Sequence, residues 1–236
     1  MKKYVLFFLM SNCLLFFSCD VKFEPNVRVL ATGLVVDELG DPISGAEISV
    51  YTRRSTGIIF APAPSGTNAF LLGRNYSNEN GEFNVVSLLD KDIDFSIVVL
   101  KDNNYTYYEY ATSTVSNVPD NLVFNLETIT LKRVGTFNYN ITRVSGEGNS
   151  LQFSFKFKDT NCFEYFDEEI LVPLESYCFE NQALNRTLGD ENPNLDGSFK
   201  TPYGTEVEFS YSTNEQETIT EIVTINQDNY DFTFNY

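Results

Sequence analysis

Strict two-residue alternation of apolar and polar side chains is what most restricts the folds open to this chain. In Leu151-Gln152-Phe153-Ser154-Phe155-Lys156-Phe157-Lys158 every odd position is large and apolar and every even one is polar. Val207, Phe209 and Tyr211 alternate in the same way with Glu206, Glu208 and Ser210. Tyr230, Phe232, Phe234 and Tyr236 alternate with Asp231, Thr233 and Asn235. A strand turns successive side chains to opposite faces, so runs of this kind form sheets with one face buried and one wet. The aromatic stripes are therefore read as core rather than as a ligand platform. No segment sustains an apolar period of 3.6, which leaves no place for a long helix.

The first half reads the same way. "VRVLATGLVVD", "AEISVYT", "EFNVVSLL", "DFSIVVL" and "NLVFNLETITL" are strand-like runs separated by turn residues at the spacing of an antiparallel sandwich. One series closes near Arg133 to Gly135, and "TFNYNITRV" opens another. The expected fold is all-β, with two β-sandwich domains in tandem over residues 28–133 and 134–236 and no clear repeat between them.

The N-terminus, "MKKYVLFFLMSNCLLFFSCD", has a basic start and an apolar stretch too short to span a bilayer of about 30 Å comfortably. Ending in Ser18-Cys19, it resembles a bacterial lipobox. That resemblance implies a signal peptide over 1–18, acylation of Cys19, a short tether over 19–27 and a lipid anchor at the outer membrane. Several fatty chains hold a protein on a membrane durably, at about 0.8 kcal/mol per buried methylene. The lipid has to do the anchoring, because the chain carries 33 acidic against 16 basic residues, a net charge of −17. Such a surface repels nucleic acid and anionic lipid headgroups, so neither is an expected partner.

Four cysteines are present. Cys13 departs with the signal and Cys19 takes the lipid. Cys162 and Cys178 remain as an even pair in an oxidising compartment, where a disulfide would contribute about 3 kcal/mol; two free buried thiols are the alternative. Neither lies in a C-x-x-C motif, which speaks against redox catalysis.

A wider pattern runs through Gly33-x-Val35-x-Asp37, Gly40-x-Pro42-Ile43-x-Gly45-Ala46 and Ile48-x-Val50-Tyr51, followed by Ser77-Asn78-Glu79-Asn80-Gly81-Glu82-Phe83. Over roughly residues 28–132 it resembles the carboxypeptidase regulatory-like domain, which implies a transthyretin-like or Ig-like sandwich of about seven strands. The residue chemistry of the motif is that of turns. Gly40 and Gly45 suit positive φ, Pro42 presets φ, Asp37 can accept turn amides, and Asn80-Gly81 signals a hairpin. In carboxypeptidases the peptidase activity belongs to a separate zinc domain whose ligands include histidine. This chain contains no histidine, which removes His-based zinc sites, Ser-His-Asp triads and Cys-His dyads together. Nor is there a G-x-S-x-G elbow, a P-loop or a G-x-G-x-x-G run, so enzymatic activity is not expected.

Three stretches are candidates for binding. Residues 55–73 form a long insertion, expected to be a loop, that carries Ile58, Ile59, Phe60, Phe70, Leu71 and Leu72. Exposed apolar loops mark partner contacts, unless the loop folds back and buries those side chains itself. Asn192, Asn194, Asp196 and Gly197 match the start of a calcium loop at alternating positions, but Tyr203 stands at the twelfth position where the bidentate acid belongs, leaving Asp190 or Glu191 to compensate; an Asn-Pro-Asn turn explains the same composition. No cofactor is expected, calcium at this loop being the alternative. Asp90, Asp92 and Asp94 alternate at a strand start, where solvent suits them as well as a cation. Loop tyrosines Tyr105, Tyr107 and Tyr108 offer the aromatic faces that carbohydrate recognition uses, and the acids Asp167, Glu168 and Glu169 are the weak case for a hydrolase. The resulting expectation is a non-catalytic, lipid-anchored envelope module whose partner is a glycan or an outer-membrane transporter. The alternative is a structural or adhesive subunit of the fimbrillin type.

Overall fold

The computed structural model describes residues 23–55, 67–90 and 94–236. Cys19, Ile58, Ile59, Phe60 and Asp92 lie outside the described residues. The described part is all strand and turn, as the alternation predicts.

The first sandwich uses β1 (Phe23–Val36), β2 (Glu47–Ser55), β3 (Thr67–Tyr76), β4 (Glu82–Asp90), β5 (Asp94–Leu100), β6 (Tyr107–Ser113) and β7 (Val123–Thr130). One sheet has the order β4-β1-β7, with β7 parallel to β1; the facing sheet contains β6-β5-β2-β3, all antiparallel. Val35, Ala46, Ile48, Val50, Val85, Ile97, Val99 and Leu131 are fully buried between them. The valines and isoleucines among them are β-branched, which suits the pleated, half-buried surface of a strand.

The two motif stretches of the sequence meet in space. Asp37 Oδ1 accepts the amides of Leu39 and Asp41, both at 2.9 Å, and Asn78 Oδ1 does the same for Asn80 and Glu82 at 2.9 and 3.0 Å. These are side-chain-closed turns, the structural duty expected of short polar residues. Gly81 has φ +77°, and a Cβ there would collide with the carbonyl of Val35, whose own amide donates to the Gly81 carbonyl at 2.9 Å. Buried Ser77 clamps the second glycine turn: its hydroxyl donates to the Ile43 carbonyl at 2.6 Å and accepts the Ala46 amide at 2.9 Å. Ser77→Ala leaves both backbone groups unpaired in the interior, so a loss of about 1–3 kcal/mol is expected. A fall in the urea midpoint at unchanged slope would register it. Asn80-Gly81 turns the chain tightly, but β3 and β4 belong to different sheets, so the turn is a change of sheet rather than a simple hairpin.

The second sandwich pairs β13-β9-β15-β16 with β14-β8-β17. These strands are β8 (Val134–Thr142), β9 (Leu151–Lys158), β13 (Asn181–Leu188), β14 (Leu195–Pro202), β15 (Glu206–Thr213), β16 (Ile219–Thr224) and β17 (Asn229–Asn235). Leu151, Phe153, Phe155, Val207 and Phe209 are buried, and Phe157, Tyr211, Tyr230, Phe232 and Phe234 pack around them. The stripes are core.

Three further strands of the second half are not part of its sandwich. β10 (Asn161–Asp167), β11 (Ile170–Leu171) and β12 (Tyr177–Cys178) cross to the first sandwich, where β10 lies parallel to β6 with Cys162 opposite Tyr108 and Phe166 opposite Thr112. The facing sheet of the first sandwich is thereby seven-stranded. The Cys162–Cys178 disulfide joins β10 to β12. Where the two sandwiches join, Arg133 bridges Glu38 at 2.9 Å and lies over the Tyr203 ring, and Lys200 Nζ donates to the Asn103 carbonyl at 2.7 Å.

Candidate functional site

Strand alternation divides the seven-stranded sheet into an inner and an outer face. Ile48, Val50, Phe95, Ile97 and Val99 point inward, leaving Glu47, Ser49, Tyr51, Ser96, Val98 and Leu100 outside. Register then builds two rows across the outer face. Tyr51, Ser96, Ala111 and Tyr165 form one; Ser49, Val98, Glu109, Phe163 and Tyr177 form the other. The crossing segment therefore supplies three of the aromatic groups, and Phe163 stacks on Tyr177 at 5.3 Å.

Polar groups are fixed among these rings. Tyr107 Oη donates to Glu109 Oε2 at 2.7 Å, and Arg74 bridges Glu47 at 3.2 Å while donating to Ser49 Oγ at 3.1 Å. Ser49, Ser96 and Glu109 are buried although they lie on the outer face. Among the described residues Ser96 Oγ has no hydrogen-bond partner, which is uncommon for a buried hydroxyl. Two depressions mark the face. One, of about 390 Å³, is lined by Glu47, Ser49, Tyr51, Val98, Leu100 and Tyr107. The other, of about 290 Å³, is lined by residues that include Ser96, Glu109, Phe163, Tyr165 and Glu175. Rings for apolar contact beside carboxylates and hydroxyls for directional hydrogen bonds make a recognition surface for a ligand with both kinds of face.

The residues singled out from sequence are only partly brought here. Of the three tyrosines, Tyr107 lies on the face, whereas Tyr108 points inward and donates to Glu164 at 2.7 Å. Its burial, reinforced by that carboxylate, pushes the phenol well above its ordinary range. Tyr105 is half-buried beside the junction, bridged to Arg133. Phe70 and Leu71 are exposed but belong to β3 and not to a loop. Residues 67–73 extend the β2–β3 ribbon, with Leu71 opposite Tyr51 at the rim of the face. The loop expectation fails there because strand pairing continues as far as Thr67 opposite Ser55.

The acidic candidates are taken up in turns, strands and buried hydrogen bonds. Asp190 pairs with Arg143 and accepts the Gly148 amide at 2.9 Å, contacts that hold its carboxyl below the ordinary range. Asn194 Oδ1 accepts the Arg143 amide at 2.9 Å, Asn192 receives the Gly189 amide through its carbonyl at 3.3 Å, and Asp196 sits on β14 opposite Asn140. Asp90 is fully buried and accepts the Thr52 hydroxyl at 3.1 Å, so it does not spread into solvent with Asp94. Glu168 and Glu169, both at positive φ, form the two-residue turn between β10 and β11. Sequence reasoning missed Tyr51, Phe163, Tyr165 and Tyr177. The available signal was "CFEYF", apolar on both strand faces, which marks a strand with neighbours on two sides.

No protein-family model matches the chain, and no curated protein matches it. Among solved structures it is similar to the Bacillus anthracis TIE protein (12% identity, TM-score 0.32, 89% of this chain against 34% of that one). It is also similar to a streptococcal ancillary pilin (11%, 0.31, 89% against 63%) and to the shaft pilin SpaA of Lactobacillus rhamnosus GG (9%, 0.30, 88% against 97%). The chain spans about a third of the first of these and under two thirds of the second.

Proposed function

We propose that this chain is a non-catalytic, lipid-anchored envelope module that holds a glycan on the outer face of its seven-stranded sheet. The observation that carries this reading is the register of Tyr51, Tyr107, Phe163 and Tyr165 around Ser49, Ser96 and Glu109 on a single sheet face. A sugar ring offers an apolar face to such rings and hydroxyls to such carboxylates and serines. Acylated Cys19 would keep the strongly acidic chain at a membrane that its own surface does not attract. The absence of histidine and the pairing of Glu109 with Tyr107 support binding over catalysis.

Affinity electrophoresis of the full chain in detergent through a panel of neutral polysaccharides tests the reading. Saturable retention is expected with at least one polymer. Tyr51→Ala and Tyr165→Ala should each weaken it by about tenfold. Retention by none, or retention indifferent to both variants, removes the proposal. A polymerising or adhesive subunit is the alternative, and β16 favours it, with exposed Ile219 and Ile222 on an edge that pairs with no described strand. Sedimentation that stays monomeric with rising concentration argues against that alternative.

A further inference from the structure

We propose that a cleft beside β7 accepts an extended basic peptide as an added strand, at a site separate from the glycan face. The smaller sheet of the first sandwich ends at β7, whose second edge pairs with no described strand. The opposite sheet continues past β6 to β10. Phe124 of β7 stacks on Phe95 at 4.8 Å and meets Tyr110 edge-on at 6.1 Å, so β7 lies over β5 and β6. Phe166 stacks on the far side of this cluster, against Tyr110 at 4.5 Å, one strand further out. The inward side chains of β10, Cys162, Glu164 and Phe166, therefore face a space where the smaller sheet is one strand short. That space is a cleft of about 740 Å³ running the length of β7.

Its chemistry selects the occupant. A strand edge unpaired among the described residues supplies main-chain donors and acceptors for an extended segment, and a bulge at Glu127, where φ is +51°, divides that edge into two short pairing stretches. Glu127, Glu164 and Glu169 line the cleft against one cation, Lys132, which already stands 4.6 Å over the Phe179 ring. A strand laid over β10 removes water from the Glu164 carboxylate, an arrangement that becomes favourable when the strand brings a cation to it. The fitting segment carries one inward Lys or Arg with apolar residues two positions to either side. Another copy of this chain, itself at −17, is a poor occupant of an acidic cleft.

Selection from a displayed library of random nonapeptides on the full chain in detergent is the test. The enriched sequences should share a basic residue flanked at two-residue spacing by apolar ones. Their binding should slow amide exchange across residues 123–130, fall about tenfold or more in Glu164→Gln and be abolished in Glu164→Lys. Glu164→Gln keeps the acceptor for Tyr108, so its fold can be confirmed independently by unchanged retention on polysaccharide. No enrichment, enriched peptides without a basic residue, protection elsewhere, or protection of 123–130 by self-association in the absence of peptide each overturns the proposal. None of these outcomes bears on the glycan face, which Tyr51→Ala and Tyr165→Ala report.

Discussion

Phe155→Ala is expected to destabilise the second sandwich by about 3–5 kcal/mol, the cost of deleting a fully enclosed aromatic ring. Phe155 is completely buried, with Phe209 at 4.8 Å, Tyr139 at 5.0 Å, Phe137 at 5.5 Å and Phe153 at 5.6 Å between ring centroids. Rings packed from so many directions cannot all collapse into the vacated space, so the variant loses contact energy as well as transfer energy. The two cores share none of their residues. Calorimetry should therefore show an early transition for the second sandwich, while amide exchange in β1, β2 and β5 of the first stays slow. An equal loss of protection in both would mean that they unfold as one unit.

Replacing both bridged cysteines, Cys162→Ser with Cys178→Ser, should cost about 3 kcal/mol from the entropy of closing a loop of 16 residues. The effect should be local. β11 and β12 are two residues each, Ile170 is 69% exposed and Leu174 98% exposed, so little apolar burial holds the return arm of this segment. Cys162 and Phe166 pack against the first core and keep β10 beside β6. Amide exchange should accelerate over residues 170–178 first, and polysaccharide retention should weaken as Tyr177 leaves its stack on Phe163. Unchanged exchange in that segment would show that the crosslink contributes nothing to its order.

Particular residues show what the sequence does and does not reveal. The alternation at Leu151, Phe153, Phe155 and at Val207, Phe209 places a core directly, because burial on one face of a strand is a local pattern. The turn role of Asp37 was readable for the same reason: a short side chain closes onto its own backbone. The placement of β10 was not readable. Its partner, β6, is 54 residues away, as the Thr112–Phe166 hydrogen bond shows, and parallel pairing leaves no hairpin turn to announce it. The aromatic rows of the outer face depend on that pairing, so Tyr165 and Phe163 stayed hidden while Tyr107 did not. Asp90 misleads for a related reason: its spacing with Asp94 looks solvated, but Thr52, brought from another strand, gives it a buried partner.

The crossing segment also orders events during synthesis. A sandwich whose strands are consecutive can close as soon as its last strand leaves the ribosome. Here the larger sheet of the N-terminal sandwich stays without β10 until residue 167 has emerged, and its covalent staple waits for Cys178. Until then the outer edge of β6 is open. Completion of the first half is thus timed by translation of the second, and the first sandwich is not finished before strands of the second have been made.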